Sequence, residues 1–414
     1  MHTQSTRNAD FALPRRSRST FRRGGPDAGA LPAQVAAVTY RACDVAVVGA
    51  GAFGAWTALS LAEAGVRVTM IDMYPTPNPR SSSGGESRNI RAAYGADAFY
   101  TRWARRAWAI WGERQRQFET TLVYPCGSLR AGSDAEIAAQ ADLFAALGAA
   151  FEVLSPDEVE SRWPQVRWSA PATFYEPESG VLAAELSLRE VERALRRANG
   201  QVIRGRGTLL GQGASTRLEV DGEQFPCGTI VLACGPWLPR LLPDLLGGFI
   251  RTPRRELLFV APELGDPRFG WERCPNLVDP LGWTSADLGN GVKIAPPMRG
   301  IDMDPDSAER LPTPLAIDGA KQFLTARLPA LAKRPIISAY VSQLENTASE
   351  DFIIDRHPEA AHVVIAGGGS GHAFKFGPLL GDYVAQMVLD GSRGEHAARF
   401  GLAAHRPLLP GEGA

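Results

Sequence analysis

The sequence predicts an α/β protein in which a parallel, Rossmann-like sheet is assembled from separated segments, with a mainly antiparallel β domain inserted between them. Three observations carry this reading. A β-branched apolar run, Asp44 to Val48, empties into Gly49-Ala50-Gly51-Ala52-Phe53-Gly54. Two later runs of the same kind, Thr229 to Ala233 and His362 to Ala366, also end in glycines, at Gly235 and at Gly367 to Gly371. Between roughly 245 and 350 the pattern changes to short, proline-punctuated runs such as Leu257–Val260 and Val292–Ile294, as antiparallel strands require.

The first run is followed by a predicted helix, Ala55 to Glu63, and by a second strand, Val66 to Ile71, that delivers Asp72. Strand, G-x-G-x-x-G, helix, strand and acid in this register make the first βαβ unit of a dinucleotide-binding sheet. Gly49 permits the tight turn, and Gly51 lets the backbone approach a pyrophosphate. Gly54 lets helix pack on strand. The helix N-terminus at Ala52 and Phe53 offers N–H groups to phosphate oxygens. Asp72 can accept hydrogen bonds from a ribose.

Downstream, Trp103, Ala104, Ala107, Trp108 and Trp111 recur at helical spacing between Tyr100 and Gln117, which predicts a core-facing helix. Ser133 with Glu136, and Ser155-Pro156 with Glu158, read as capping boxes. Ser187 with Glu190 is expected to open a helix that stops at Asn199-Gly200, before a strand at Gln201–Ile203. A last helix is expected from Pro378 to Leu389, ending at Gly391. There is no internal repeat.

Composition narrows the partners. The 414 residues, 44% hydrophobic, supply one large or two interleaved domains. A net charge of −1 argues against nucleic acid or an anionic membrane as partner. No apolar stretch is long enough to span a bilayer. The five cysteines have no C-x-x-C spacing, so free thiols in a reducing cytoplasm are expected and a metal site is not. Residues 1–41 are arginine-rich and poor in large apolar side chains, and are expected to form a disordered tail. The stretch after Arg15-Arg16 is short and holds Pro32 and Gln34, which disfavours an export signal.

With these pieces in place, residues 42–400 resemble the amino-acid-oxidising flavoproteins of the D-amino-acid oxidase type, nearest the monomeric sarcosine oxidase, N-methyltryptophan oxidase and pipecolate oxidase subgroup. Four motifs in order carry the resemblance: the dinucleotide fingerprint; Ser82-Ser83-Gly84-Gly85-Glu86-Ser87-Arg88-Asn89-Ile90-Arg91; Gly291-Val292-Lys293; and Phe352-Ile353-Ile354-Asp355 leading to Gly369-Ser370-Gly371-His372-Ala373-Phe374-Lys375. The resemblance implies FAD as cofactor. It implies an FAD-binding domain from 42–120, 175–245 and 350–400, a substrate domain from 121–174 and 246–349, and a C-terminal tail at 401–414.

The same resemblance assigns residues. Ser87, Arg88, Gly235, Gly369, Gly371, His372 and Lys375 join the fingerprint in cofactor binding, with His372 as a backbone-contact position. Arg88 lies beside the flavin, while Arg91 and Lys375 hold a substrate carboxylate. Arginine suits that task because its planar fork matches a carboxylate and keeps its charge. If Ser82–Arg91 makes a helical turn, Arg88 and Arg91 share one face. Lys293 is implied to activate dioxygen by stabilising developing superoxide; its alternative is a lysine on an exposed edge strand. Gly84 stands where some sarcosine oxidases have histidine. Ser342 stands where the subgroup carries the cysteine that attaches flavin, and Leu344 replaces an aromatic. Serine cannot supply the attacking thiolate, so FAD is expected to be non-covalent.

The expected activity is oxidation of an amino acid or N-alkyl amino acid to its imine, with dioxygen reduced to hydrogen peroxide. The alternatives are an amine dehydrogenase with a carrier acceptor and a non-catalytic flavin-binding subunit. The partners are a carboxylate-bearing amine and dioxygen, and a monomer is expected.

Overall fold

A computed structural model describes residues 42–297 and 300–408. The tail expected at 1–41 lies outside the described residues. The glycine-rich unit forms the middle of a six-stranded sheet. Strand Cys43–Val48 runs parallel to Val68–Asp72 on one side and to Cys227–Leu232 on the other. Gln201–Arg204 extends the first side, while Val363–Gly367 and then antiparallel Ile353–Arg356 extend the second. Both faces of the central strands are covered, which is why they read as unbroken apolar runs rather than as alternation.

Helix Ala52–Glu63 packs on helix Gly377–Asp390. The contact is close because position 381 is glycine: a Cβ there would sit 2.5 Å from the Trp56 backbone. Gly391, at φ +74°, ends the second helix, as expected. Helix Ala98–Gln117 is capped by Asp97 and buries Trp103, Ala104, Ala107 and Trp111. Both predicted capping boxes are present. One helix start is corrected: the helix runs Ala184–Arg197, and Ser187 lies inside its first turn, its hydroxyl donating back to the Ala184 carbonyl.

The predicted antiparallel region forms most of an eight-stranded sheet. Arg254–Val260 pairs with Ile336–Gln343 on one side and with Val292–Ala295 on the other, and Gly282–Ser285 follows. Period-two alternation gives this sheet two characters. Leu258, Val260, Val292 and Ile294 pack with Ala320, Phe323 and Leu324 of helix Pro314–Arg327. The opposite face carries Ser342 beside Arg255, Lys293 beside Phe259 and Ser285, and Trp283 beside Ala295. Lys293 is therefore an interior-strand residue, 1% exposed, and the edge-strand alternative is excluded.

Ser87–Ile90 is also a strand, antiparallel to Gly180–Ala183. The helical turn that would have put Arg88 and Arg91 on one face is absent; the extended backbone separates them. Residues 401–408 return to the body, where the Leu402 N–H donates to Asp355 and the Leu408 N–H to the Gly248 carbonyl. Among the described residues no helix is long and apolar enough to cross a membrane.

Candidate active site

Two cavities meet at the C-terminal end of the parallel sheet. The first, about 250 Å³, is lined by Gly49, Gly51, Ala52, Phe53, Asp72, Gly235 and Ser83. The second, about 380 Å³, is lined by Arg88, Arg255, Trp283, Ser342, Leu344, Gly369 and Gly371. Ala52, Phe53, Ser82, Ser83 and Glu345 line both, which joins them into one trough.

The first half is built for a dinucleotide. Gly49 adopts φ +106°, and a Cβ there would lie 2.2 Å from the Ala233 carbonyl oxygen. A Cβ on Gly54 would lie 1.9 Å from the Gly49 oxygen. Gly51 is the N-cap of the helix and offers no capping side chain; the Ala52 N–H donates to Ser83 Oγ at 2.9 Å. A Cβ at Gly51 would meet only the Ser83 side chain, its hydroxyl at 3.1 Å, so this glycine keeps cavity space open rather than relieving a clash with the backbone. The Asp72 carboxylate accepts the Ala50 and Tyr74 N–H groups, each at 2.8 Å, and burial raises its pKa. A glycine cradle, a helix start without a side-chain cap and an acid at the end of the second strand fit a pyrophosphate and its ribose.

The second half is built from charged side chains. The Arg88 guanidinium donates to the carbonyls of Ser87, Ser82 and Gly84 and lies 5.5 Å from the Phe374 ring centroid. Lys293 Nζ donates to the Ser87 carbonyl at 2.6 Å and its hydroxyl at 2.8 Å, and stands 5.4 Å from the Trp283 ring. Burial, then the charge of Arg88, hold the Lys293 pKa well below that of a free lysine. Ser87 is thus the support of Lys293. Gly84 lies where a Cβ would meet the Asn78 carbonyl at 2.4 Å and the Tyr340 hydroxyl at 2.5 Å. Any larger residue there requires Tyr340 to move.

Arg91 and Lys375 converge on one ring. The Arg91 guanidinium is 5.5 Å and Lys375 Nζ 4.9 Å from the Tyr94 ring centroid. Lys375 Nζ donates to the Tyr94 hydroxyl at 2.6 Å, and that hydroxyl is 3.0 Å from His372 Nδ1. His372 Nε2 is 2.9 Å from the Glu350 carbonyl. The directions are consistent with one tautomer: Tyr94 donates to Nδ1, and Nε2 carries the hydrogen. Burial, then the charge of Lys375, push the His372 pKa down to about 3, so the ring is neutral. With both ring nitrogens engaged, His372 orients Tyr94.

Behind this group, Glu176 accepts the N–H groups of Ala92 and Ala93 at 2.6 and 3.1 Å. Burial raises its pKa to about 7 against the opposing pull of those bonds and of Arg91 and Lys375. Lys375 is itself depressed by burial and by Arg91. Arg91, Lys293, Lys375, His372 and Ser87 do not line the two cavities, whereas Arg88, Gly235, Gly369 and Gly371 belong to their wall.

Ser342 and Leu344 both line the second cavity. All five cysteines are free; Cys234 lies in the first cavity, and none is in the wall of the second. Four important side chains escaped the sequence reading: Tyr94, Glu176, Arg255 and Glu345. Glu345 is buried where the cavities join, accepts the Gly368 N–H at 3.3 Å, and is raised to about 7 by burial. Tyr94, three residues after Arg91, was within reach of sequence reasoning. The others are brought in by tertiary pairing, and Arg255 looked like one of several scattered arginines. Among the described residues no His/Cys/Asp/Glu group could hold a metal.

Fold and trough together define a dinucleotide-binding α/β protein with a second chamber beside the nucleotide cradle. The chain belongs to the FAD dependent oxidoreductase (DAO) family, whose model matches residues 44–387. It is 29% identical over 385 residues to the monomeric sarcosine oxidase of a Bacillus species, covering 88% of this chain and 96% of the relative. It is 27% identical over 387 residues to N-methyl-L-tryptophan oxidase of Yersinia pestis, covering 88% and 99%. The crystal structure of glycine oxidase from Geobacillus kaustophilus superposes with a TM-score of 0.76 at 17% identity over 89% of this chain and 100% of that one, a likeness of fold. The cofactor is FAD, and the cradle described above accommodates its dinucleotide.

Proposed function

We propose that this enzyme oxidises an amino acid or N-alkyl amino acid to its imine and reduces dioxygen to hydrogen peroxide, with FAD held non-covalently. When bound, FAD supplies the acceptor for hydride from carbon and the donor of electrons to dioxygen. Arg91 and Lys375 hold the substrate carboxylate, with Tyr94 fixing the direction of Lys375. Lys293 is anchored by two hydrogen bonds to Ser87, and in its protonated form it stabilises the negative charge that develops in the oxygen step. The amine must bind unprotonated or lose its proton first. Ser342 at the attachment position, and the absence of a cysteine from the second cavity wall, support non-covalent FAD. Free thiols support a cytoplasmic location. The two sheets support division into an FAD-binding part (42–120, 175–245, 350–400) and a substrate part (121–174, 246–349).

The observation that carries the reading is the convergence of Arg91 and Lys375 on Tyr94, next to the Gly369–Gly371 turn that walls the trough. Two basic side chains on one half-buried ring, neither in an ion pair among the described residues, suit a carboxylate supplied by the ligand. The test is anaerobic mixing of the yellow holoenzyme with N-methyl and cyclic amino acids, then admission of air with a peroxide assay. Bleaching by amino acids followed by stoichiometric peroxide is expected. Reoxidation only by an added electron carrier would identify a dehydrogenase, and absence of bleaching by any amine would end the assignment.

A further inference from the structure

We propose that Arg255 is a second anion-binding group in the substrate chamber, and that the preferred substrate carries a second carboxylate on its side chain. This deepens the function proposed above and rests on it. Arg255 projects from the sheet face that also presents Ser342, Lys293 and Trp283, and it lines the second cavity with Ser342, Leu344 and Trp283. Its guanidinium stacks on the Trp283 ring at 5.4 Å and, among the described residues, makes one hydrogen bond, a long one of 3.3 Å to the Pro296 carbonyl. No carboxylate among the described residues pairs with it.

The comparison with Arg88, the other arginine in the same wall, is decisive. Arg88 spends its donors on three carbonyls and is held as part of the frame. Arg255 has five N–H groups and one protein acceptor. A half-buried guanidinium with most of its donors unmatched by protein is left to a ligand or to water in the cavity. Its planar fork, fixed by the indole beneath it, is shaped for a carboxylate. The acids in the same wall do not compete for it: Asp279 is bound to Arg327, and Glu345 is bound to the Gly368 N–H. Burial brings the Arg255 pKa down only to about 10, so the charge persists at neutral pH.

Arg91 and Lys375 already account for the α-carboxylate. Arg255 lies in the large sheet, whereas Arg91 directly follows strand Ser87–Ile90 of a three-stranded one, so the two come from separate parts of the fold. One carboxylate held at the Tyr94 group and a second at Arg255 leave the amine carbon between them. The ligand class is then an amino dicarboxylate or its N-alkyl derivative, with Trp283 packing against the methylenes that join the two ends.

The closing experiment compares racemic N-methylglutamate with racemic N-methylglutamine, which differ by one charge at the same shape, in anaerobic titrations of the holoenzyme flavin. The wild type is expected to be half-bleached at a concentration at least tenfold lower for N-methylglutamate. Arg255→Met should abolish the preference, and Arg255→Lys should keep part of it. Glutarate against butyrate, read from the flavin absorption without turnover, should show the same Arg255-dependent preference. Equal bleaching by both amino acids in the wild type would overturn the proposal while leaving the amine-oxidase reading standing, and needs no variant. A preference that survives in Arg255→Met would also overturn it. Arg255-dependent binding of glutarate, with no bleaching by either amino acid, would instead support the anion site and overturn the amino dicarboxylate as the substrate class.

Discussion

The two halves of the trough differ in what builds them. In the nucleotide half the glycine-rich backbone of Val48 to Phe53 meets Asp72, the glycines Gly205, Gly207 and Gly235, and larger side chains such as Trp237 and Arg240. The second half is cations and aromatic rings from separate segments: Arg88 from one small sheet, Arg255 and Trp283 from the large sheet, and Phe374 from a turn after the last parallel strand. Backbone recognition tolerates little change in shape, because the glycines are defined by 2 Å approaches. Side-chain recognition tolerates change in shape but not in charge. The halves should therefore fail differently.

The largest effect is expected in the first half. Gly51→Leu should give a folded but colourless protein, because the new side chain enters the cavity and meets only the Ser83 side chain on the protein side. Flavin content by absorbance and folding by circular dichroism check this together. Full flavin occupancy in the variant would show that the pyrophosphate does not pass Gly51. Next in size, Arg91→Met or Lys375→Met should lose about 2–4 kcal/mol of transition-state stabilisation, seen in kcat/KM, with flavin content retained. If flavin is lost instead, these cations belong to the cofactor and the division between the halves fails.

Glu345 tests the seam between them. Its folded pKa of about 7 lies above the ordinary 4.5, so the native state binds a proton that the unfolded chain releases. The stability it contributes is present below pH 4.5 and is lost as pH rises through 7. Glu345→Gln does not titrate, so the apoprotein variant should gain on the wild type across that window, by on the order of 3 kcal/mol if the whole shift is expressed. Thermal melts at pH 5 and pH 8 measure it. A constant difference would mean that Glu345 is ionised in the native protein.

The second half should also divide by reaction step. Lys293→Met is expected to slow flavin reoxidation by dioxygen at least tenfold while changing anaerobic reduction far less. Rapid mixing separates the two steps; equal damage to both would remove Lys293 from the oxygen site. The smallest effect is expected at Tyr94→Phe, which deletes one hydrogen bond to Lys375 and one to His372. About 1 kcal/mol should be lost from carboxylate affinity, mostly in KM. Because His372 is neutral down to about pH 3, no inflection near pH 6.5 should appear in either protein.

The same contrast explains what the sequence revealed. The parallel sheet, its glycines and Asp72 were legible because one local motif contains both the structure and its use. The antiparallel sheet was legible as a class, from alternation, but its register was not. Arg255 became visible only when pairing placed it opposite Ser342. Arg88 and Arg91 were identified by resemblance, yet their geometry was misjudged: i, i+3 spacing means one face on a helix and opposite directions on a strand. Glu176, 85 positions from Arg91, had no local signal; it matters because its carboxylate closes on the Ala92 and Ala93 N–H groups. Ser187 showed that a capping pair can occur inside a first turn rather than before it.

The central claim is that the second half of the trough binds a carboxylate-bearing amine and the first half binds the FAD that oxidises it. It is tested most directly by anaerobic titration of the holoenzyme with one reactive N-methyl amino acid and with its carboxamide. The acid should bleach the flavin at a concentration at least tenfold below that needed by the amide, and Arg91→Met should remove that advantage. Equal bleaching by acid and amide would contradict the account.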